Sequence, residues 1–240
     1  MTIGINSSTA STRARETKPG APAAATAEAR HALTPQSSTD DSGSVSLSAT
    51  SRQLAQSAVR AEQRDASMSR TELAAEAKKV REQICGAAYN AALVANEVPD
   101  TDDPELLARA RQATAFTQAY GRSSTVENPF KHLSDDQLTL VMYDDSGSYT
   151  INERRAAWLE QYDRREAWAQ KVVAQAHLEY KTTGQNDRFF QACIDYYEAL
   201  PPIEQAQYPV DYVARRQHWI ENNKPWFEGD LPTIIDAVGP

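Results

Sequence analysis

At 240 residues and 26.5 kDa with a formal charge of -8, the chain is sized for one or two domains. Eighteen of its nineteen aromatic residues lie between Phe116 and Phe227, with only Tyr89 before them, which excludes two equal globular halves because large rings dominate buried core area. No run approaches the roughly 20 apolar residues of a membrane-spanning helix, the start lacks the apolar stretch of a secretory signal peptide, and an acidic body whose basic residues alternate with acids excludes nucleic acid as an expected partner.

Residues 1–50 are built from Ser, Thr, Ala, Pro and Gly, in runs such as Gly20-Ala21-Pro22-Ala23 and Ser37-Ser38-Thr39-Asp40, and balance four basic against four acidic side chains. The whole acidic excess belongs to the remainder. This composition cannot bury enough apolar area to offset about 1 to 2 kcal/mol of backbone entropy per ordered residue, so 1–50 reads as a disordered leader. Residues 51–68 read as a weakly helical linker that needs a partner to persist, because they lack large side chains.

The helical body is expected over 69–240, with its aromatic-rich core at 116–227. Ser69 and Glu72 have capping-box spacing, and Leu73, Ala77, Val80, Ile84, Ala87, Ala91 and Val94 follow at steps of four and three, which predicts one long helix with a small-residue stripe. Asp103-Pro104-Glu105 opens a second helix ending near Tyr120-Gly121, and the two read as a helical hairpin. Ser134 with Gln137 forms another capping box, stapled by Leu133 and Leu138, for a helix that stops near Tyr143. Thr150 with Glu153 opens a long helix carrying Trp158, Trp168 and Tyr180 as far as Gly184. Asn186 is positioned to cap the next, which bears Phe189, Phe190 and Cys193 and ends at Pro201-Pro202. A last helix is expected near Pro209, and the apolar tail with Trp226, Phe227, Leu231, Ile234 and Ile235 is expected to fold back over the bundle. No strand period appears. The fold class is therefore all-α, an irregular helical bundle of about five to six helices behind a disordered leader.

Candidate chemistry centres on the loop from Tyr143 to Glu153. With Asp144 at position 1 of a calcium loop, Ser146, Ser148 and Asn152 fall at ligating positions 3, 5 and 9. Position 6, which requires glycine, is Tyr149, and position 12, which requires a bidentate glutamate, is Arg155. A helix-turn-helix corner with Thr150 as N-cap explains the same residues. The acidic pairs Asp102-Asp103, Asp135-Asp136 and Asp144-Asp145 lie at helix starts, where the helix dipole favours negative charge. Cys85 and Cys193 read as buried thiols on helices, without a zinc or dithiol pattern. His31, His132, His177 and His218 match no metal or nucleophile motif. Asn128-Pro129-Phe130 spells a tripeptide that endocytic domains bind, with Phe130 packing the body as the alternative. The pairs Arg154-Arg155, Arg164-Arg165 and Arg215-Arg216 read as a salt-bridge-laced face. No cofactor is implied.

Val45-Ser46-Leu47-Ser48-Ala49 with Arg52 resembles the N-termini of proteobacterial flagellar regulators of the anti-sigma type and of exported proteins. Asn128-Pro129-Phe130, Leu133-Ser134, Gln137-Leu138, Tyr143-Asp144-Asp145-Ser146-Gly147 and Tyr149-Thr150 with Asn152-Glu153-Arg154 are similar to a module of about thirty residues in uncharacterised gammaproteobacterial proteins. The anti-sigma family keeps its binding residues in a small C-terminal helical region, which this body does not resemble.

These readings lead to the expectation of a non-catalytic bacterial protein-interaction protein, cytoplasmic or exported without a signal peptide. Its leader would serve a chaperone or secretion component, as in cargo of a specialised secretion system. The rival expectations are a calcium sensor using Asp144, Ser146, Ser148 and Asn152, and an enzyme using a carboxylate with His177 or His218.

Overall fold

The computed structural model describes residues 48–122 and 125–223, all within one compact unit. Of the disordered leader expected over residues 1–50, residues 1–47 lie outside the described residues, as does the tail beyond Asn223 that is expected to fold back. Among the described residues there are nine helices and no strand. No described helix is long and apolar enough to cross a membrane.

The expected linker is a full helix, α1 (Ala49–Ser67), and the leader boundary moves back accordingly: Ser48 caps α1 by accepting from the Ser51 N–H. The partner it needs comes from far along the chain. The Glu105 carboxylate accepts from the backbone N–H groups of Ala49 and Thr50 at 3.1 and 3.2 Å and from the Thr50 hydroxyl at 2.7 Å. Donors that an isolated helix leaves unpaired at its N-terminus are thereby satisfied in trans.

Helix α2 (Arg70–Ile84) starts with the Ser69–Glu72 capping box and buries Leu73, Ala77, Val80 and Ile84, but it does not continue to Val94. It unwinds at Cys85 and Gly86, whose N–H groups both donate to the Arg81 carbonyl. A Cβ at Gly86 would lie 2.7 Å from the Glu82 Cα, so only glycine allows the chain to turn this tightly. Ala91 and Val94 belong instead to the one-turn α3 (Ala91–Val94), capped by Asn90. Helix α4 (Pro104–Ala119) begins as expected, with Asp103 accepting from the Glu105 N–H and proline in its first turn. The anticipated α2–α4 hairpin does not form: α4 packs on α6 and α1, whereas α2 packs on α6 and α8.

Helix α5 (Asp135–Met142) and helix α6 (Ile151–Thr183) carry the two remaining capping boxes, Ser134–Gln137 and Thr150–Glu153. At 33 residues α6 spans roughly 50 Å and forms the axis of the bundle. Gly184 ends it in the left-handed region at φ 73°. Helix α7 (Asp187–Ala199) follows, but Asn186 makes no cap hydrogen bond with its side chain, which donates instead to the Ala176 carbonyl at 2.8 Å. Pro202 does not merely end α7. It opens the single turn α8 (Pro202–Gln205), because proline suits a first helical position that has no N–H partner to lose. Helix α9 (Tyr212–Glu221) completes the described chain. The excess over the expected helix number is α1, read as a linker, and the single turns α3 and α8.

Three apolar clusters line α6. At its N-terminal end Leu54, Phe130, Leu138, Val141, Tyr149 and Ala157 pack together. Beside them Ala77, Val80, Ile84, Met142 and Ile203 join α2 to α8. Along the distal half Val172, Ala176, Phe189, Phe190 and Cys193 pack with Trp219. The small stripe of α2 is thus core, with Ala77, Val80 and Ile84 fully buried despite the absence of rings.

Candidate functional site

The loop joining α5 to α6 spends its polar groups on the body. Asp144 is buried, and its Oδ2 accepts from the Ser57 hydroxyl at 2.6 Å and from Arg60 at 2.5 Å, both on α1. Its Oδ1 accepts from the Ser146 N–H. Burial alone would raise the Asp144 pKa, but the hydrogen bonds from Arg60, Ser146 and Ser57 outweigh it and hold the carboxyl below its ordinary value. Asn152 is buried among other partners: its Oδ1 accepts from the Tyr89 hydroxyl, while its Nδ2 donates to the Val94 carbonyl and the Thr114 hydroxyl. Ser146 and Ser148 bond to each other at the surface. The expected calcium donors Asp144, Ser146, Ser148 and Asn152 therefore address α1, solvent and the α3–α4 region separately. The reason is positional, since Asn152 lies inside the first turn of α6 and not in the loop. Among the described residues no group of three or more His, Cys, Asp or Glu side chains is placed to hold a metal ion.

Next to this corner, Glu153 combines capping with a buried ion pair. Its Oε2 accepts from the Thr150 N–H and hydroxyl, while its Oε1 accepts from Arg109 Nε at 2.8 Å. Arg109 also donates to Gln53 Oε1 and Thr50 Oγ1. Its guanidinium lies 5.0 Å from the Tyr149 ring centre and 5.4 Å from that of Phe130. This network closes α1, α4 and α6 around one cation. Asn128 and Phe130 are buried here too, with Asn128 Nδ2 donating to the Ala156 carbonyl, so the tripeptide is core and not a displayed ligand.

Two other expectations change. Cys193 is buried, but Cys85 is half-buried at the end of α2. Arg154 and Arg216 are buried, so the arginine pairs do not form a uniformly solvated face; Arg164 does, bridging Asp135 and Glu160. His132 and His218 are exposed, and His218 pairs with Asn222.

A concavity of about 450 Å³ opens between α2, the end of α5, the middle of α6 and α8. Helical spacing builds its walls. Lys78, Arg81, Glu82 and Cys85 fall on one face of α2, and Trp158, Tyr162, Arg165 and Ala169 on one face of α6. Trp158 and Tyr162 stack with ring centres 5.4 Å apart. Tyr143, Glu204 and Gln207 form the inner end. Gln207 Nε2 donates to the Tyr143 hydroxyl at 3.0 Å and lies 3.4 Å from Glu204 Oε2. Gln207 thus links the Tyr143 hydroxyl to the Glu204 carboxyl group.

Glu204 is buried, and its Oε1 has no hydrogen-bond partner among the described residues. Burial pushes its pKa above the ordinary 4.5, against the opposing influence of Tyr143, Arg165, Arg81 and Arg64. Burial likewise raises the Tyr143 phenol, with the Glu204 charge adding to it. The Cys85 thiol also titrates high, because burial exceeds the pull of Arg155 and Arg81. The half-buried Arg81 guanidinium has no hydrogen bond or ion pair among the described residues. Sequence reasoning passed over this cleft because Pro201-Pro202 read as a stop signal. The one available sign was an acid, Glu204, set between the apolar Ile203 and Ala206. No family model matches the chain, and neither a curated protein nor a solved structure matches it.

Proposed function

We propose that this chain is a non-catalytic recognition protein and that a segment of a partner protein docks in the cleft between α2, α5, α6 and α8. The observation that carries this reading is the buried Glu204 carboxyl with an unpartnered oxygen at the inner end of that cleft. An unsatisfied buried polar group costs roughly 1 to 3 kcal/mol, which a docked group able to complete the hydrogen bonding offsets. The surroundings favour recognition over chemistry. Cys85 donates its Sγ–H to the Arg81 carbonyl and titrates high, the opposite of an activated thiolate. His177 and His218 do not line the cleft.

A photo-crosslinking side chain at Tyr162, on the cleft wall, is expected to trap a discrete partner in producing cells. The same group at Leu93, which is exposed and outside the cleft, should not. Equal labelling from both positions, or none from Tyr162, sinks the docking reading.

The leader supplies the other half of the proposal, an export or chaperone-binding segment of secretion cargo, supported by its Ser/Thr/Ala-rich composition. Ser48 and Thr50 serve α1, so the deletion that tests it stops at residue 47. Equal release of the full chain and the deleted form would refute the leader's role.

A further inference from the structure

Resting on that docking reading, we propose that the occupant is an acidic peptide segment whose carboxylate lies between the Arg81 guanidinium and the Glu204 carboxyl group, with an aromatic or aliphatic neighbour laid against Trp158 and Tyr162. Three independent features converge on this chemistry. First, the half-buried Arg81 presents a guanidinium with no hydrogen bond or ion pair among the described residues, and a fork of N–H donors is the natural complement of a carboxylate. Second, Glu204 Oε1 is buried without a partner beside Tyr143 and Gln207. Because burial favours the neutral acid, this carboxyl can donate its O–H to an incoming carboxylate, whereas an ionised Glu204 would repel it. The groups bearing on Glu204 are Tyr143 from the end of α5, Arg81 from α2, Arg165 from α6, Arg64 from α1, Tyr196 from α7, and Gln207 and Tyr208 just beyond α8.

Third, the charges are layered. Arg81 and Arg165 are half-buried, while the two opposing acids, Glu82 and Glu166, are exposed at the rim and screened by water. On a chain of net charge -8, an acidic segment is repelled by most of the surface and attracted here, which is a basis for discrimination and not only for affinity. The stacked Trp158–Tyr162 pair, with Tyr162 exposed, offers the apolar ledge that peptide-binding clefts place beside their polar anchors.

The test is selection of a phage-displayed random peptide library on the full chain. Cleft-dependent binders are those lost on Tyr162→Ala, which removes part of the cleft wall without changing its charge; they are then compared on Arg81→Gln and Arg81→Glu, and every variant is first shown to unfold at the wild-type temperature. Cleft-dependent binders are expected to carry Asp or Glu next to an aromatic or aliphatic residue. Replacing that acid by its amide, or Arg81 by Gln, should weaken them by about tenfold or more, the scale of one charge-assisted hydrogen bond. Glu204→Gln, which keeps a donor, should retain binding and remove its decline as pH rises, whereas Glu204→Ala should lose it. Cleft-dependent binders without acids, or with Lys and Arg, overturn the acidic-segment inference while leaving the docking reading standing. Complete absence of cleft-dependent binders overturns both.

Discussion

Two buried carboxyl groups on neighbouring elements respond to burial in opposite ways. Asp144 receives hydrogen bonds from Ser57, Arg60 and Ser146, which favour its charged form. Glu204 sits in a less completely bonded place, where burial favours the neutral form. The stabilisation from Asp144 is therefore present above its ordinary value of 3.8 and is lost as pH falls through its lower folded value. That from Glu204 is complete below 4.5 and is lost as pH rises through its higher folded value. Urea unfolding of Asp144→Asn should show a stability loss near neutrality that shrinks toward acid. Glu204→Gln should become more stable relative to wild type as pH rises above 4.5. Parallel pH profiles for the two variants would contradict this assignment. The sequence marks Asp144 either as a rival calcium ligand or as part of a helix-turn-helix corner. It does not reveal Arg60 and Ser57 as partners of Asp144, because they lie more than eighty residues earlier and meet it only in the folded chain.

At the scale of helices, local capping chemistry was legible and helix persistence was not. The three capping boxes at Ser69–Glu72, Ser134–Gln137 and Thr150–Glu153 are formed, because each needs only residues three apart. The end of α2 is hidden in the sequence because its apolar period runs on past Gly86, while the chain turns there in a space that excludes a side chain. Gly86 and Gly184 terminate helices for different reasons, and alanine separates them. Gly184→Ala meets nothing within 4 Å but must hold φ 73°, at a cost of about 1 to 2 kcal/mol. Gly86→Ala has no such backbone penalty but drives Cβ into the Glu82 backbone and side chain, an overpacking cost of about 1 to 3 kcal/mol. Thermal unfolding should show both losses. A wild-type melting temperature for Gly86→Ala would mean that the end of α2 relaxes freely.

Across the whole molecule, Arg109 joins α4 to Thr50 and Gln53 of α1 and to Glu153 of α6. Its Gln53 partner passes the connection on to the Ser148 carbonyl in the α5–α6 loop. Removing one member leaves a buried charge uncompensated, so Glu153→Ala should destabilise by about 3 to 5 kcal/mol in urea unfolding, more than the roughly 1 kcal/mol of a lost cap. Arg109→Met with Glu153→Met should recover much of that loss. A Glu153→Ala cost no larger than that of a cap would show that the pair is replaceable. An all-α body rich in rings after Phe116, its capping sites and the start of its longest helix could be read from the sequence alone, because periodicity, caps and turn residues act over a few neighbouring positions. The docking of α1, the separation of α2 from α4, the burial of Asn152 and the cleft around Glu204 were decided by tertiary structure. Each depends on groups brought together from distant segments, and no local pattern records which buried polar atom will find a partner and which will be left without one.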